Sequence, residues 1–389
     1  MPTYLPALRY GGPIRSVHAL CRALQGAGHD VTVFTTSVDG PSDSNVPLLQ
    51  PVDVEGVKVT YFPSRVLRRL YWSPPMGRSL DRSVSTFDVV HLHAVFLWPI
   101  WAAARAARAR GVPYVVSPRG MLVPELIRAK SRLVKSAWLS LIERRNIERA
   151  AAIHTTSAVE ASHLASFGWA LPPVVTIPHG VDDPPALTGE PLSADVARAI
   201  AGPPPVLALG RISWEKGLDR LIAALPAAPD ARVIVAGGDA GGQAAALEQQ
   251  ARDLGVAERV TILARHVDGA DKEALFAASR LFAMTSLSEN FGLAAFEAMR
   301  RGLPVLATPT VGMAEIVREV GAGCVVDPAA PSIAACLNAL LADPDKARLM
   351  GRAGQAHVIE HYSWVGVARR MGELYDRVRA TTAGRDGRP

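Results

Sequence analysis

Short apolar runs rich in β-branched residues recur along the whole chain, each followed by a longer stretch rich in Ala and Leu. In the first half the runs are 31–36, 57–62, 88–92, 114–117 and 174–177. In the second they are 206–209, 232–236, 260–263, 281–285, 304–307 and 323–326. Several are apolar at consecutive positions, which suits strands buried on both faces. Strands alternating with helices build βαβ units and parallel sheets, so the expected class is α/β. At 389 residues the chain exceeds what one hydrophobic core usually holds, and two domains are expected. The pattern lapses over 178–205, which carries Pro184-Pro185 and Pro203-Pro204-Pro205. The reading is a first domain over 1–180, a linker over 181–204, a second domain over 205–363, and a helix within 364–389 that packs back on the first domain. One departure stands at the start. Residues 1–9 hold Pro2 and Pro6 and no strand-like run, so the strand expected before the Gly11-Gly12 turn is missing.

Charge is unevenly placed. Residues 1–183 hold 20 Lys and Arg against 13 Asp and Glu, whereas 184–389 hold 22 against 23. The positive excess therefore belongs to the first half, where it favours an anionic partner or simply forms a solvated Arg-rich surface. The three cysteines, Cys21, Cys324 and Cys336, have no metal-ligand spacing and fit a reduced, cytoplasmic setting. No run of about 18 apolar residues offers a membrane span, and the first residues lack the layout of a signal peptide.

Five segments carry candidate chemistry. Ser288-Glu289-Asn290-Phe291-Gly292-Leu293 follows an expected strand and opens an expected helix that contains Glu297. Ser286, Ser288 or Asn290 is expected to cap that helix, whose free N–H groups near Phe291, Gly292 and Leu293 would hold a phosphate. Glu297 lies among Leu293, Ala294, Ala295, Phe296 and Met299. A carboxylate there wants hydroxyl partners, or else it faces water or pairs with Arg300 or Arg301. Gly210-Arg211-Ile212-Ser213-Trp214-Glu215-Lys216-Gly217 follows the run 206–209, where an open α/β sheet binds ligands. Arg211 and Lys216 offer two cations to a diphosphate, or else are surface charges on a Gly-punctuated loop. Tyr10-Gly11-Gly12-Pro13 lets backbone N–H groups approach phosphate or sugar oxygens, although an ordinary turn has the same composition. In Asp88-Val89-Val90-His91-Leu92-His93, alternation puts both histidines on one side if the strand continues. More often such a strand ends before His93, and a satisfied structural role is the commoner fate of either ring.

The fifth segment is Ser117-Pro118-Arg119-Gly120-Met121 with the basic stretch behind it. Arg128, Lys130, Arg132, Lys135, Arg144, Arg145 and Arg149 alternate there with Leu133, Val134, Trp138, Leu139, Leu141 and Ile142. That layout suits a helix on an anionic bilayer surface, or a core helix with a solvated basic face. No Walker P-loop, GxGxxG, HExxH or GxSxG occurs.

Together these segments resemble the retaining glycosyltransferases of family 4, also called group 1, over almost the whole chain. The marks are the E-x7-E pattern of Glu289 and Glu297, the Gly210-Arg211 and Glu215-Lys216-Gly217 loop, and the Gly11-Gly12 turn. Ile177-Pro178-His179-Gly180-Val181-Asp182 is similar to the family's domain-joining motif with His179 in place of Asn, and the segment ending at His93 is similar to its DVVHxH. The resemblance implies a GT-B fold of two facing Rossmann-like domains with a cleft between them. It implies transfer of a hexose-type sugar, with retention, from a UDP- or GDP-linked donor. Glu297 would bond the donor's ribose, and Glu289 the transferred sugar. Arg211 and Lys216 would neutralise the diphosphate with backbone help from Gly12, Gly210, Phe291, Gly292 and Leu293. His93 would lie beside the donor sugar, and the backbone around His266 would hold the base. Neither metal nor other cofactor is implied.

The Ser117-Pro118-Arg119-Gly120-Met121-Leu122 run is similar to bacterial members that build surface polysaccharides. It implies a glycan or lipid-linked acceptor and a protein that is cytoplasmic and peripheral at the inner membrane face. Three rivals differ in what they expect. A sucrose- or trehalose-synthase-like enzyme would act on a soluble acceptor, a non-catalytic protein would bind nucleotide-sugar without turnover, and a nucleic-acid binder would show strongly salt-dependent binding. Glu289, Arg211, Lys216 and His93 together weigh against the second, and only the basic first half supports the third.

Overall fold

The computed structural model describes residues 1–7, 12–124, 127, 138–185, 189–239 and 241–386. The chain divides into two compact units, 1–180 with 364–389, and 181–363. The described strands of the first are β1 (Thr32–Thr36), β2 (Val38–Asp39), β3 (Ser42–Asp43), β4 (Pro51–Val54), β5 (Val57–Phe62), β6 (Val90–His93), β7 (Tyr114–Ser117), β8 (Ala152–Thr155) and β9 (Val174–Thr176). Those of the second are β10 (Val206–Leu209), β11 (Val233–Ala236), β12 (Val260–Leu263), β13 (Leu281–Met284), β14 (Val305–Ala307) and β15 (Gly323–Val325).

The second unit holds one parallel sheet in the order β12-β11-β10-β13-β14-β15. Its strands read as continuous apolar runs because both faces are buried. Leu207, Ile234 and Phe282 enter one core, while Val206, Ala208, Val233, Val235, Leu281 and Ala283 enter the other. Successive strand side chains point to opposite faces, so each strand feeds both cores in turn. The stretch 181–204, expected as a linker, is different in its second part. A helix, Ala194–Ile200, forms there and sends Val196 and Ala199 into the core beneath the sheet. The prolines bracket this helix rather than run through it, which is why the stretch reads as unstructured in sequence.

The first unit has two main sheets. The four-stranded one, β6-β7-β8-β9, is parallel; the three-stranded one has the order β1-β5-β4, with β4 antiparallel on the outside. Strands β2 and β3 form a small antiparallel hairpin. β1 and β6 do not pair with each other. A solvent-open pocket of about 620 Å³ borders both, lined by Thr32 and Phe34 from β1 and by Val90, His91 and Leu92 from β6. No strand lies within residues 1–7, in keeping with the lapse in pattern there. The helix Trp364–Asp386 belongs to this unit. Its Val367, Ala368, Met371, Leu374 and Val378 share one face and join Leu20, Leu24, Val115 and Ile177 in a common core. Gly180 faces the Trp364 ring so closely that a Cβ would sit 2.3 Å from it.

The helix Ala194–Ile200 supplies a direct check. Val196→Ala should destabilise the second unit by about 1–3 kcal/mol, through lost burial and a residual cavity. Chemical denaturation followed in that unit reads this; a solvated linker would show no loss.

Candidate functional site

In the second unit β10 comes first along the chain yet lies mid-sheet, between β11 and β13. The chain builds outward on one side and then crosses to the other, and such a reversal opens a crevice beyond the strands' carboxyl ends. A pocket of about 300 Å³ sits at that point, lined by Gly210, Arg211, Lys216, Thr285 and Ser286 among others. The loop after β10 ends in a helical turn, Trp214–Lys216, and at Gly217 takes φ 58°. A Cβ on Gly217 would lie 2.2 Å from the Thr285 carbonyl oxygen, so only glycine lets the loop close on the end of β13. Thr285 fastens the contact by donating its hydroxyl to the Gly217 carbonyl at 2.9 Å.

That closure brings Lys216 against Glu289, which accepts a charge-assisted hydrogen bond from its ammonium. Both side chains are about one-fifth exposed, so the pair is shielded but open to a ligand. The Glu289 backbone is held by its amide donating to the Thr310 carbonyl at 3.3 Å and its carbonyl accepting from the Gly312 amide at 2.8 Å. Arg211 is exposed, and its guanidinium makes no side-chain bond among the described residues. It is a cation lining the pocket, with no carboxylate paired to it among the described residues.

Beyond Glu289 the helix Leu293–Arg300 begins without a side-chain cap. Ser286, Ser288 and Asn290 do not cap it; Gly292 occupies the cap position instead. Gly292 has φ 88°, and a Cβ there would meet Met284 Sδ at 3.1 Å, Val311 at 3.2 Å and Met313 Sδ at 3.3 Å. The chain turns through space that a capping side chain would fill, and no side chain caps the first amides of the helix. Phe291 stacks on Phe296 at 4.5 Å between ring centroids, anchoring the turn. Glu297, farther along the helix, accepts a 2.8 Å bond from Lys272 Nζ. Neither expected arginine takes that carboxylate. Arg301 is drawn to Glu273, Arg300 to Asp183. His266 follows β12 at the sheet's edge, largely exposed and 3.6 Å from Asp268. It is not among the residues lining the pocket. Its neighbour Arg265 ties Asp195 to Asp271.

The first unit carries a buried imidazole cluster. β6 runs through His93, so the expectation that the strand ends sooner is corrected: pairing with Ser117 of β7 extends it. The His91 and His93 rings lie 4.1 Å apart on one side of the strand. Proton positions around His91 follow from the bonding. His154 Nε2 meets the Ile177 carbonyl at 2.8 Å and must donate, so its Nδ1 accepts from the Ser117 hydroxyl at 2.7 Å. Ser117 Oγ then accepts from His91 Nε2 at 2.7 Å, and His91 Nδ1 accepts from the Tyr375 hydroxyl, also at 2.7 Å. This directed chain ties Tyr375 of the terminal helix through β6, β7 and β8 to the end of β9, with every imidazole neutral. His93 accepts at Nδ1 from Arg119, at 2.9 Å from Nη2 and 3.2 Å from Nε. Arg119 also meets His179 at 3.2 Å. Burial holds His91, His93 and His179 well below the usual histidine range, with neighbouring Arg119 adding to the effect. His154 falls to about 3 for the same reasons, and burial lowers the Arg119 guanidinium to about 10.

Sequence reasoning singled out His93 but missed His154, whose strand β8 is a weak Ala-rich run, and it gave Arg119 and His179 no role of their own. One signal was available: Arg119 stands at the carboxyl end of β7, where polar residues of a parallel sheet collect. Gly12 opens the helix Gly12–Gly26, with nothing within 4 Å of where a Cβ would be. Tyr10 and Gly11 lie outside the described residues, as do Arg128, Lys130, Arg132, Leu133, Val134 and Lys135, and the Leu141 side chain is not described. Of the basic stretch, Arg144 pairs with Glu148 on the short helix Arg144–Glu148.

Two family models match the chain. Glycosyl transferases group 1 covers residues 195–357, and Glycosyltransferase Family 4 covers residues 10–183. The chain is a family 4, group 1 glycosyltransferase. A glycogen synthase from Mycobacterium tuberculosis is 28% identical to it over 403 residues, spanning 95% of this chain and 92% of the relative. Among solved structures, a sucrose-phosphate synthase from Thermosynechococcus elongatus superposes with a TM-score of 0.74 at 23% identity, covering 95% of this chain and 94% of its own. Anabaena HepE, in complex with UDP and glucose, gives a TM-score of 0.71 at 22% identity, covering 95% and 97%. The glycosyltransferase thus has the GT-B fold.

The histidine chain makes the enzyme's first unit sensitive to acid. Folded His154 stays neutral down to about pH 3 whereas the unfolded imidazole titrates near 6.5, so the folded state binds fewer protons across that window. This contribution is fully present above about pH 6.5 and is lost as pH falls toward 3, by up to ~1.4 kcal/mol per pH unit. Melting of the first unit should fall with pH through this window, and His154→Gln should flatten the fall. An identical slope in the variant would show that the imidazole is solvated.

Proposed function

We propose that this glycosyltransferase moves a hexose-type sugar, with retention, from a UDP- or GDP-linked donor to a hydroxyl of a lipid-linked glycan acceptor in surface polysaccharide synthesis. The observation carrying the donor half is the pocket at the β10–β13 reversal, where exposed Arg211 and the Lys216–Glu289 pair stand beside an uncapped helix start. A nucleoside diphosphate needs cations and uncapped N–H groups, and one unit supplies cations and a helix start with no side-chain cap. Arg211 and Lys216 neutralise the leaving diphosphate with the backbone at Phe291, Gly292 and Leu293, so no divalent cation is assigned to that task; the Gly210 amide, expected to take part, is instead donated to the Ala236 carbonyl at 3.0 Å. Binding frees Glu289 from Lys216 in part, turning its carboxylate to hydroxyls of the transferred sugar. Glu297 keeps one oxygen on Lys272 and offers the other to the ribose. The backbone around His266 takes the base, and His93 is assigned to the transferred sugar.

The acceptor half rests on the basic excess of residues 1–183 and on the segment from Ser117 to Leu122. No described helix is long and apolar enough to cross a membrane, and the reading is a cytoplasmic enzyme held peripherally at an anionic membrane face. A soluble acceptor is the second reading, favoured by the likeness to a glycogen synthase and a sucrose-phosphate synthase.

A panel of UDP- and GDP-sugars, with and without membrane lipid extract, tests both halves by the nucleotide released. Lipid-dependent release from one donor is expected. Release that needs only a soluble sugar would move the acceptor to the second reading, and donor binding without release under any condition would contradict transfer. Within this assay Arg211→Ala should lower turnover more than donor affinity, because the diphosphate gains charge as it leaves. Equal losses would contradict that role. Glu297→Ala should weaken nucleotide binding by ~1.5–3 kcal/mol, measured by calorimetry.

A further inference from the structure

Among the described residues, Arg119 is the one charged group in the imidazole cluster of the first unit, and its surroundings leave it poorly matched. A guanidinium has five N–H bonds in a planar fork. Here the Nε and Nη2 bonds converge on a single lone pair, His93 Nδ1, and Nη1 meets His179. Both acceptors are neutral imidazoles. Among the described residues no carboxylate touches Arg119. Glu160, on the helix Ala158–Ala165, is committed elsewhere: its oxygens accept from the Gly120 amide at 2.6 Å, the Thr156 amide at 2.7 Å and the Thr156 hydroxyl at 3.1 Å. One N–H on each terminal nitrogen of Arg119 is left without a bond to these partners, and an oxyanion can accept from them.

The backbone supports a ligand-directed role. Arg119 has φ 58°, in the left-handed region that a side chain other than Gly, Asn or Asp rarely takes, and it follows β7 at the carboxyl end of its sheet. The side chain is partly buried, so its charge is desolvated yet can still be reached. A cation placed this way without an anion is costly, and a bound anion removes the cost.

We propose that Arg119, steadied by His93 and His179, is an oxyanion site of the first unit that takes a phosphoryl group through its two remaining N–H bonds. The phosphoryl group is one carried by a substrate of the transferase, so the inference rests on the transferase reading while adding a residue to it. His93 and His179 are positioning residues here, because each holds the fork in one plane and stays uncharged.

Calorimetric titration with inorganic phosphate, and separately with UDP and GDP, should be run on the wild type, Arg119→Gln and Arg119→Lys, with Arg211→Ala alongside. Loss of one charge-assisted bidentate contact should weaken binding about ten- to a hundredfold in Arg119→Gln, with part regained in Arg119→Lys. A loss for phosphate alone assigns the site to the acceptor; a loss for UDP or GDP assigns it to the donor. Wild-type affinity for all three in Arg119→Gln overturns the proposal. If that variant does not fold, the wild type decides: phosphate should move the imidazole nitrogen resonances of His93 and His179, and resonances unmoved throughout the titration overturn it. A turnover loss in Arg211→Ala no larger than its loss of nucleotide affinity would count against the donor pocket of the second unit and leave the Arg119 result standing.

Discussion

The candidate donor site depends on β10 pairing with β13. The two strands are far apart in sequence, and their register, Val206 against Leu281 and Leu207 against Phe282, delivers two unrelated loops to one edge of the sheet. From that pairing come the seat of Gly217 on Thr285, the reach of Lys216 to Glu289, and the uncapped start of the helix Leu293–Arg300. None of these contacts is available within one βαβ unit. The cores above and below the sheet hold the strands in this order, since each strand surrenders alternate side chains to each face. Stability and site are thus coupled: loosening the middle of the sheet separates the cation from the carboxylate.

The first unit uses polar groups where the second uses apolar packing. Its parallel sheet is crossed near the carboxyl end by a hydrogen-bonded chain from Tyr375 to the Ile177 carbonyl, whose proton directions are dictated by the one member that can only accept. A buried network of this kind contributes when every member is satisfied and is costly otherwise. Here it also settles the state of the neighbouring ring. With Arg119 donating to its Nδ1, neutral His93 carries its proton on Nε2.

Much of this was legible in the sequence for a physical reason. Strands buried on both faces must be apolar at consecutive positions, so 114–117, 206–209 and 260–263 are identified with their observed bounds. β8 escaped because Ala152 and Thr155 weaken the run and His154 interrupts it, and β4 because an outer antiparallel strand need not be apolar. Glu289, Arg211, Lys216 and Gly292 could be marked from residue type and position after a strand. What could not be read was partnership. That Glu297 goes to Lys272 rather than to Arg300 or Arg301, and that Gly292 rather than a serine or asparagine ends the approach to the helix, are set by which side chains the fold presents from elsewhere. Arg119 reads in sequence as one more basic residue; among the described residues, the groups bonded to its fork are imidazoles.

The central claim is that the second unit binds a nucleoside diphosphate at the end of β10 and β13. Backbone hydrogen exchange measured with and without UDP and GDP tests it directly. One nucleotide should slow exchange in 210–217 and 286–297 together, since the phosphates would engage both loops and stabilise the helix start. Protection confined to the first unit, or none under saturating nucleotide, would contradict the account.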